Sequence, residues 1–134
     1  MFHAIVPQQR ASDLGWLVDD EIQLTNFFTT HLDLFFLVFV HSQPSKGILT
    51  SLDLHSLVQY ATDNPVVISL VISPHDRTAD AFSMTNLGID EVRDCTKTGL
   101  HSHKHGIREL TRVATNVVSD ESRDIDFVDY RLRE

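Results

Sequence analysis

The chain has a single cysteine, Cys95, among 134 residues, so no intrachain disulfide can form and a reducing compartment is the natural reading. It is short of positive charge: 11 Lys and Arg stand against 19 Asp and Glu, for a net charge of −8. An acidic chain repels phosphate backbones, which excludes nucleic-acid binding through a basic stripe and leaves basic protein surfaces open as partners. No charged leader precedes the first apolar run, so a signal peptide is not evident. The most apolar stretch, Leu32 to Val40, is too short to cross a bilayer and carries Asp33, so no transmembrane segment is expected. There is no repeat and no low-complexity tract. These absences lead us to expect a soluble, cytoplasmic, single-domain protein spanning residues 1–134.

With 42% hydrophobic and 22% charged residues, the composition is that of an ordinary globular protein. His3 to Pro7 reads as a short strand ended by proline, and Gln8 to Gly15 as a polar loop. From Val18 to Leu32 the pattern predicts a helix. Asp19, Asp20 and Glu21 suit its first turn, and Ile22, Leu24, Phe27, Phe28 and Leu32 follow at roughly helical spacing. Leu34 to Val40 reads as a buried central strand that runs into His41-Ser42-Gln43-Pro44 and a short loop, Ser45 to Leu49. Thr50 or Ser51 caps a helix carrying Leu52, Leu54, Leu57, Val58 and Tyr60, stopped at Asp63-Asn64-Pro65. Val66 to Ile72 reads as another buried strand, Ala81 to Thr85 as a strand, and Asn86-Leu87-Gly88 as a turn. After the loop Thr96 to Gly106, weaker strands are expected near Arg112 to Val118 and Ile125 to Leu132, with a charged loop, Ser119 to Asp124, between them. This order predicts an α/β fold with helices packed on a mixed sheet.

Histidines cluster in two regions. His101, His103 and His105 alternate in a loop six to ten residues after Cys95. A thiol and alternating imidazoles can fold around one cation, and zinc accepts both ligand types in a tetrahedron. A solvated polar loop accounts for this spacing equally well. In the second region, His41 at a strand end and Asp53 on the next helix can converge on a metal. Taken alone they read better as a strand-end hydrogen-bonding group and a first-turn helix residue.

Together the two regions resemble the JAMM pattern of MPN-domain metalloproteases, His-x-His-Pro followed by Ser-x-x-Asp. More narrowly they resemble the AMSH branch, the STAM-binding-protein-like deubiquitinases. The helix Ser51-Leu52-Asp53-Leu54-His55 matches that branch's Ser-x-Asp-Leu-His, and Cys95 to His103 matches its Cys-x5-His-x-His. The opening His3 to Gln9 and the end, Val128 to Arg133, are similar to the family's strands. The resemblance implies an MPN-type mixed sheet flanked by helices, with an insertion loop pinned by a structural zinc on His55, Cys95, His101 and His103. His105 lies just outside the pattern and reads as a solvated loop residue.

The resemblance also implies a catalytic zinc held by two histidines and an aspartate, with a water in the fourth position and a glutamate as general base. His41 and Asp53 match two ligands, but Gln43 stands where the second histidine belongs, and an amide oxygen is a poor zinc ligand. The interval from Pro44 to Asp53 is one residue shorter than in the family. Thr50, with Ser51 beside it, falls where a hydroxyl supports the tetrahedral intermediate. The glutamate belongs ahead of the segment that His3 to Pro7 resembles, so the chain is expected to lack the family's first helix and strand. Two further departures weaken the implied substrate contact: Leu100 stands where the family favours an aromatic, which reduces contact with ubiquitin, and Phe39 stands where Trp is usual, a milder change. One structural zinc is therefore expected, while Gln43 puts the catalytic one in question. The implied activity is that of a zinc isopeptidase cleaving lysine-63-linked polyubiquitin, with impaired or lost catalysis. The alternative is a non-catalytic MPN scaffold that binds ubiquitin or partner subunits. An endosomal association is implied only by the family.

Overall fold

A computed structural model describes residues 2–7, 9–12, 15–18, 21–43, 49–64, 66–115, 117 and 124–131. Asp19, Asp20, Pro44, residues 45–48, Pro65 and residues 118–123 lie outside the described residues. So does the terminal segment 132–134. The chain divides into two compact units, residues 36–117 and residues 1–35 with 118–134.

The first of these units is built on helix α2 (Ser51–Ala61). Thr50 caps it in a reciprocal box, its hydroxyl accepting from the Asp53 N–H while Asp53 accepts the Thr50 N–H. Leu54, Leu57, Val58 and Ala61 recur at helical spacing and are buried against Leu49, Val67, Val71, Met84, Val92 and Leu110. Each fully buried Leu or Val contributes roughly 1.5–3 kcal/mol on burial, and Ala61 less. The sheet beneath has the order β4 (Val38–Ser42), β5 (Ile68–Ser73), β6 (Thr78–Met84), β7 (Thr111–Val113). β4 and β5 are parallel and the other pairs antiparallel, giving the mixed sheet with flanking helices that the element order implies.

Three local expectations change. The apolar run from Leu34 is a strand only from Val38, and among the described residues β4 pairs on one side only, with Val40 59% exposed. Much of its apolar character serves packing on the helix instead. Phe36 stacks on Tyr60 at 4.4 Å, and Phe39 meets both rings within 4.8 Å. The central, buried strand is β5.

The second change is at Asn86-Leu87-Gly88, which opens helix α3 (Asn86–Arg93) rather than a turn, capped by the Thr85 hydroxyl on the Gly88 N–H at 3.0 Å. Glycine is there for a close approach. A Cβ at position 88 would sit 2.0 Å from the Leu110 carbonyl oxygen, at the end of the one-turn helix α4 (Ile107–Leu110).

The third change lies in the other unit, where part of the polar segment after Pro7 forms a hairpin, β2 (Gln9–Ser12) with β3 (Gly15–Val18). β1 (Phe2–Val6) pairs in parallel with β8 (Ile125–Asp129), bringing the two family-like end segments into one ladder. Helix α1 (Glu21–Thr30) buries Phe27, on which His31 stacks at 4.1 Å. No helix among the described residues is long and apolar enough to cross a membrane.

Candidate metal centre

His55 is delivered by α2, Cys95 by the residue-scale turn that follows α3, and His101 and His103 by the loop beyond it. Their ligating atoms all lie within 4.8 Å of one another. His55 Nε2 is 3.1 Å from His101 Nε2, which is 3.2 Å from His103 Nε2 and 3.5 Å from Cys95 Sγ. A zinc tetrahedron with ordinary Zn–N and Zn–S bonds has edges of about 3.3 to 3.6 Å. These contacts therefore have close to the spacing of ligands around one ion, and the donor set fits zinc.

The supporting contacts orient the donors. His101 Nδ1 lies 2.8 Å from the Gly99 carbonyl oxygen, which commits that nitrogen and leaves Nε2 for a metal. Gly99 makes this possible with a φ of 69°, a left-handed conformation suited to glycine. The His101 N–H donates to the buried Ser51 hydroxyl at 3.1 Å, tying the loop to the first turn of α2. Burial and the neighbouring imidazoles push His55 below the ordinary histidine value. Burial, followed by His101, does the same to His103. Both thus favour the neutral form that ligates metal.

The second cluster lies across the same turn of α2. Asp53 and His55 are two residues apart and so project about 200° apart around the helix. Asp53 is 4% exposed, and its Oδ1 is 3.5 Å from His41 Nε2, which is 3.4 Å from the Gln43 side-chain nitrogen. The three residues of the degenerate catalytic pattern therefore do converge. Burial holds His41 below its ordinary value despite the opposing pull of Asp53. Asp53 Oδ2 is engaged by the Thr50 N–H at 2.8 Å and faces the Thr50 hydroxyl at 3.1 Å. Both candidate oxyanion hydroxyls already have partners, Thr50 in the helix cap and Ser51 on the metal loop.

A cleft of about 620 Å³ opens beside the first cluster, lined by Leu49, Leu54, Leu100, Ile107 and Leu110 among others. Leu100 is 51% exposed at its edge, placed where a partner can reach it. The sequence did not identify Ser51 as a support for the loop, nor Glu91 at all. His105, expected to be solvated, donates from Nδ1 to Glu91 Oε1 at 2.5 Å, while its backbone N–H donates to Oε2 at 3.0 Å. Those bonds hold the Glu91 carboxyl below its ordinary value. Fourteen residues separate the pair, so no local pattern reveals it.

No family model matches the chain. Over 102 residues, 75% of the chain, it is 35% identical to an AMSH-like protease of Homo sapiens, of which it covers 23%. It is 28% identical to an AMSH-like protease of Schizosaccharomyces pombe over 134 residues, 98% of the chain and 30% of that protein. An AMSH-like ubiquitin thioesterase of Arabidopsis thaliana is 29% identical over 104 residues, 75% of the chain and 46% of that protein. The chain thus spans less than half the length of each of these relatives.

Proposed function

The chain belongs with the AMSH-like proteases and STAM-binding proteins, with the mixed α/β fold of an MPN domain, and on that premise we propose that it is a ubiquitin-binding MPN module. In this reading residues 1–134 act as one domain that holds a single structural zinc and has lost most or all isopeptidase chemistry. The observation that carries it is the contrast in donors: three imidazoles and a thiol converge at one site, while an amide stands at the other. With four protein ligands the zinc site is closed, so its chemistry is structural. Bound there, zinc would be held by His55, Cys95, His101 and His103 and would fix the loop that presents Leu100, coupling metal binding to folding.

Ubiquitin as the partner is supported by the kinship, and the exposed Leu100 at the cleft edge offers an apolar contact smaller than the family's aromatic. The acidic chain suits a basic partner face. The test is incubation of the purified, zinc-loaded chain with lysine-63-linked di-ubiquitin. Binding without cleavage is expected, and release of mono-ubiquitin, abolished by His41→Ala, would overturn the loss of catalysis.

One observation favours a second reading, residual isopeptidase activity. His41 Nε2 has Asp53 Oδ1 at 3.5 Å and the Gln43 amide nitrogen at 3.4 Å, so a metal would find two good donors, His41 and Asp53, beside a weak one. Such a metal would lower the pKa of a bound water and polarise the isopeptide carbonyl. His41 and Asp53 would hold it. The expected penalty is large, since even changes outside the ligand set cost about 10–100-fold in metal affinity.

A further inference from the structure

Between Cys95 and Gly106 the chain has no regular secondary structure, and Lys97, Thr98 and Leu100 are exposed. Such a segment, carrying three of four metal donors, would ordinarily cost much ordering entropy when a metal gathers them. Three contacts limit that freedom. At the start, the Cys95 N–H donates to the Val92 carbonyl at 3.1 Å, so Cys95 still follows the turn of α3. In the middle, Ser51 accepts the His101 N–H. At the far end, Glu91 receives both the backbone N–H and the ring Nδ1–H of His105.

The last contact has a distinctive geometry. Glu91 stands on α3 one helical turn before Cys95, and His105 is two residues after His103. One carboxylate therefore joins the exit of the loop to the helix that supplies its entrance. Two bonds to the same residue fix both the position of the backbone at 105 and the orientation of its ring. The Glu91 side chain is only 15% exposed, which shields these bonds from competing water. His105 Nε2 also lies 4.0 Å from Glu109 on α4, a longer contact on the solvent side.

We propose that Glu91 and His105 form a latch that closes the metal loop onto α3 and presets His103 opposite Cys95 before any metal binds. The inference rests on the zinc reading above. Glu91 and His105 are positioning residues: neither touches the metal, and they act by fixing the loop that carries the ligands.

The experiment is zinc affinity of the full chain, measured by competition with a chromophoric chelator, for wild type, Glu91→Ala, His105→Ala, His105→Asn and the double alanine variant. Glu91→Ala loses both bonds and is expected to weaken zinc about tenfold or more, within the range of outer-shell changes. His105→Ala loses only the ring bond and is expected to weaken it less. The double variant should match Glu91→Ala alone, because the two act as one unit. His105→Asn keeps an N–H donor near the Nδ1 position and should restore most of the affinity. Glu109→Ala should change little. Unchanged affinity in both single variants, or strictly additive losses, would overturn the latch while leaving the zinc reading intact. A wild type that binds no zinc would overturn both. If Glu91→Ala fails to fold, the His105→Ala and His105→Asn pair decides: equal affinities of the two would overturn the latch.

Discussion

The two polar clusters of this protein share one helix and differ in their donors. α2 sends His55 to one side, where Cys95, His101 and His103 meet it, and Asp53 to the other, where His41 and Gln43 meet it. His101 in the first cluster and His41 in the second each have polar atoms about 3 to 3.5 Å away, but the Gln43 atom that faces His41 is its amide nitrogen and not a metal ligand. The same helix therefore serves both clusters, and their donor chemistry separates them. An imidazole offers a strong nitrogen donor, whereas a primary amide offers a weakly basic oxygen. Capping and packing hold the residues of the second cluster in place independently of any metal. Asp53 illustrates this: Thr50 needs its carboxylate for the helix cap whether or not a metal binds.

The contrast can be broken most strongly at the complete site. Cys95→Ser removes one of four ligands and should weaken zinc by at least about a hundredfold, beyond what outer-shell changes do. Chelator competition would read it, and retention of wild-type affinity would remove Cys95 from the site. At the other cluster, Gln43→His should let the chain take up a second zinc, since it restores an imidazole beside His41 and Asp53. A metal count unchanged from wild type would mean that the geometry, and not the donor, is defective.

A smaller effect tests the shared scaffold. Gly88→Ala should destabilise the protein by about 1–3 kcal/mol, through a Cβ forced against the Leu110 carbonyl oxygen. Urea melts with zinc chelated would measure it, and a neutral result would deny that α3 and α4 approach so closely. The smallest effect concerns pH. His55 and His103 titrate below their ordinary 6.5 in the folded chain, so on acidification the unfolded chain takes up protons first. Their share of metal-free stability is present above pH 6.5 and is lost as pH falls below it. The urea midpoint should therefore drop between about pH 7.5 and pH 5, with a shallower drop in His55→Gln. Identical slopes in the two proteins would contradict the assignment.

Residue pattern made much of this legible. α2 was readable from its cap and its leucine spacing, and β5 from an apolar run bounded by turn residues. Cys95, His101 and His103 were legible from their spacing as one of two equal readings, but His55 joined them only through family likeness, because it lies forty residues before Cys95. Other features escaped for definable reasons. Asn86-Leu87-Gly88 has turn chemistry, yet Gly88 serves a tertiary approach that no local pattern encodes. β4 reads as a central strand because its aromatics are apolar, but they pack on Tyr60 and not in a second ladder. Glu91 and His105 look like ordinary surface residues until the fold joins them, and Ser51, readable as a cap or oxyanion hydroxyl, gives no local sign that it holds the loop.

Zinc content per purified chain, after dialysis at neutral pH, counts the metals directly. One zinc per chain is expected in the wild type, none in Cys95→Ser, and two in Gln43→His. A wild type with no zinc would contradict the structural site, and a wild type with two would contradict the loss of the second.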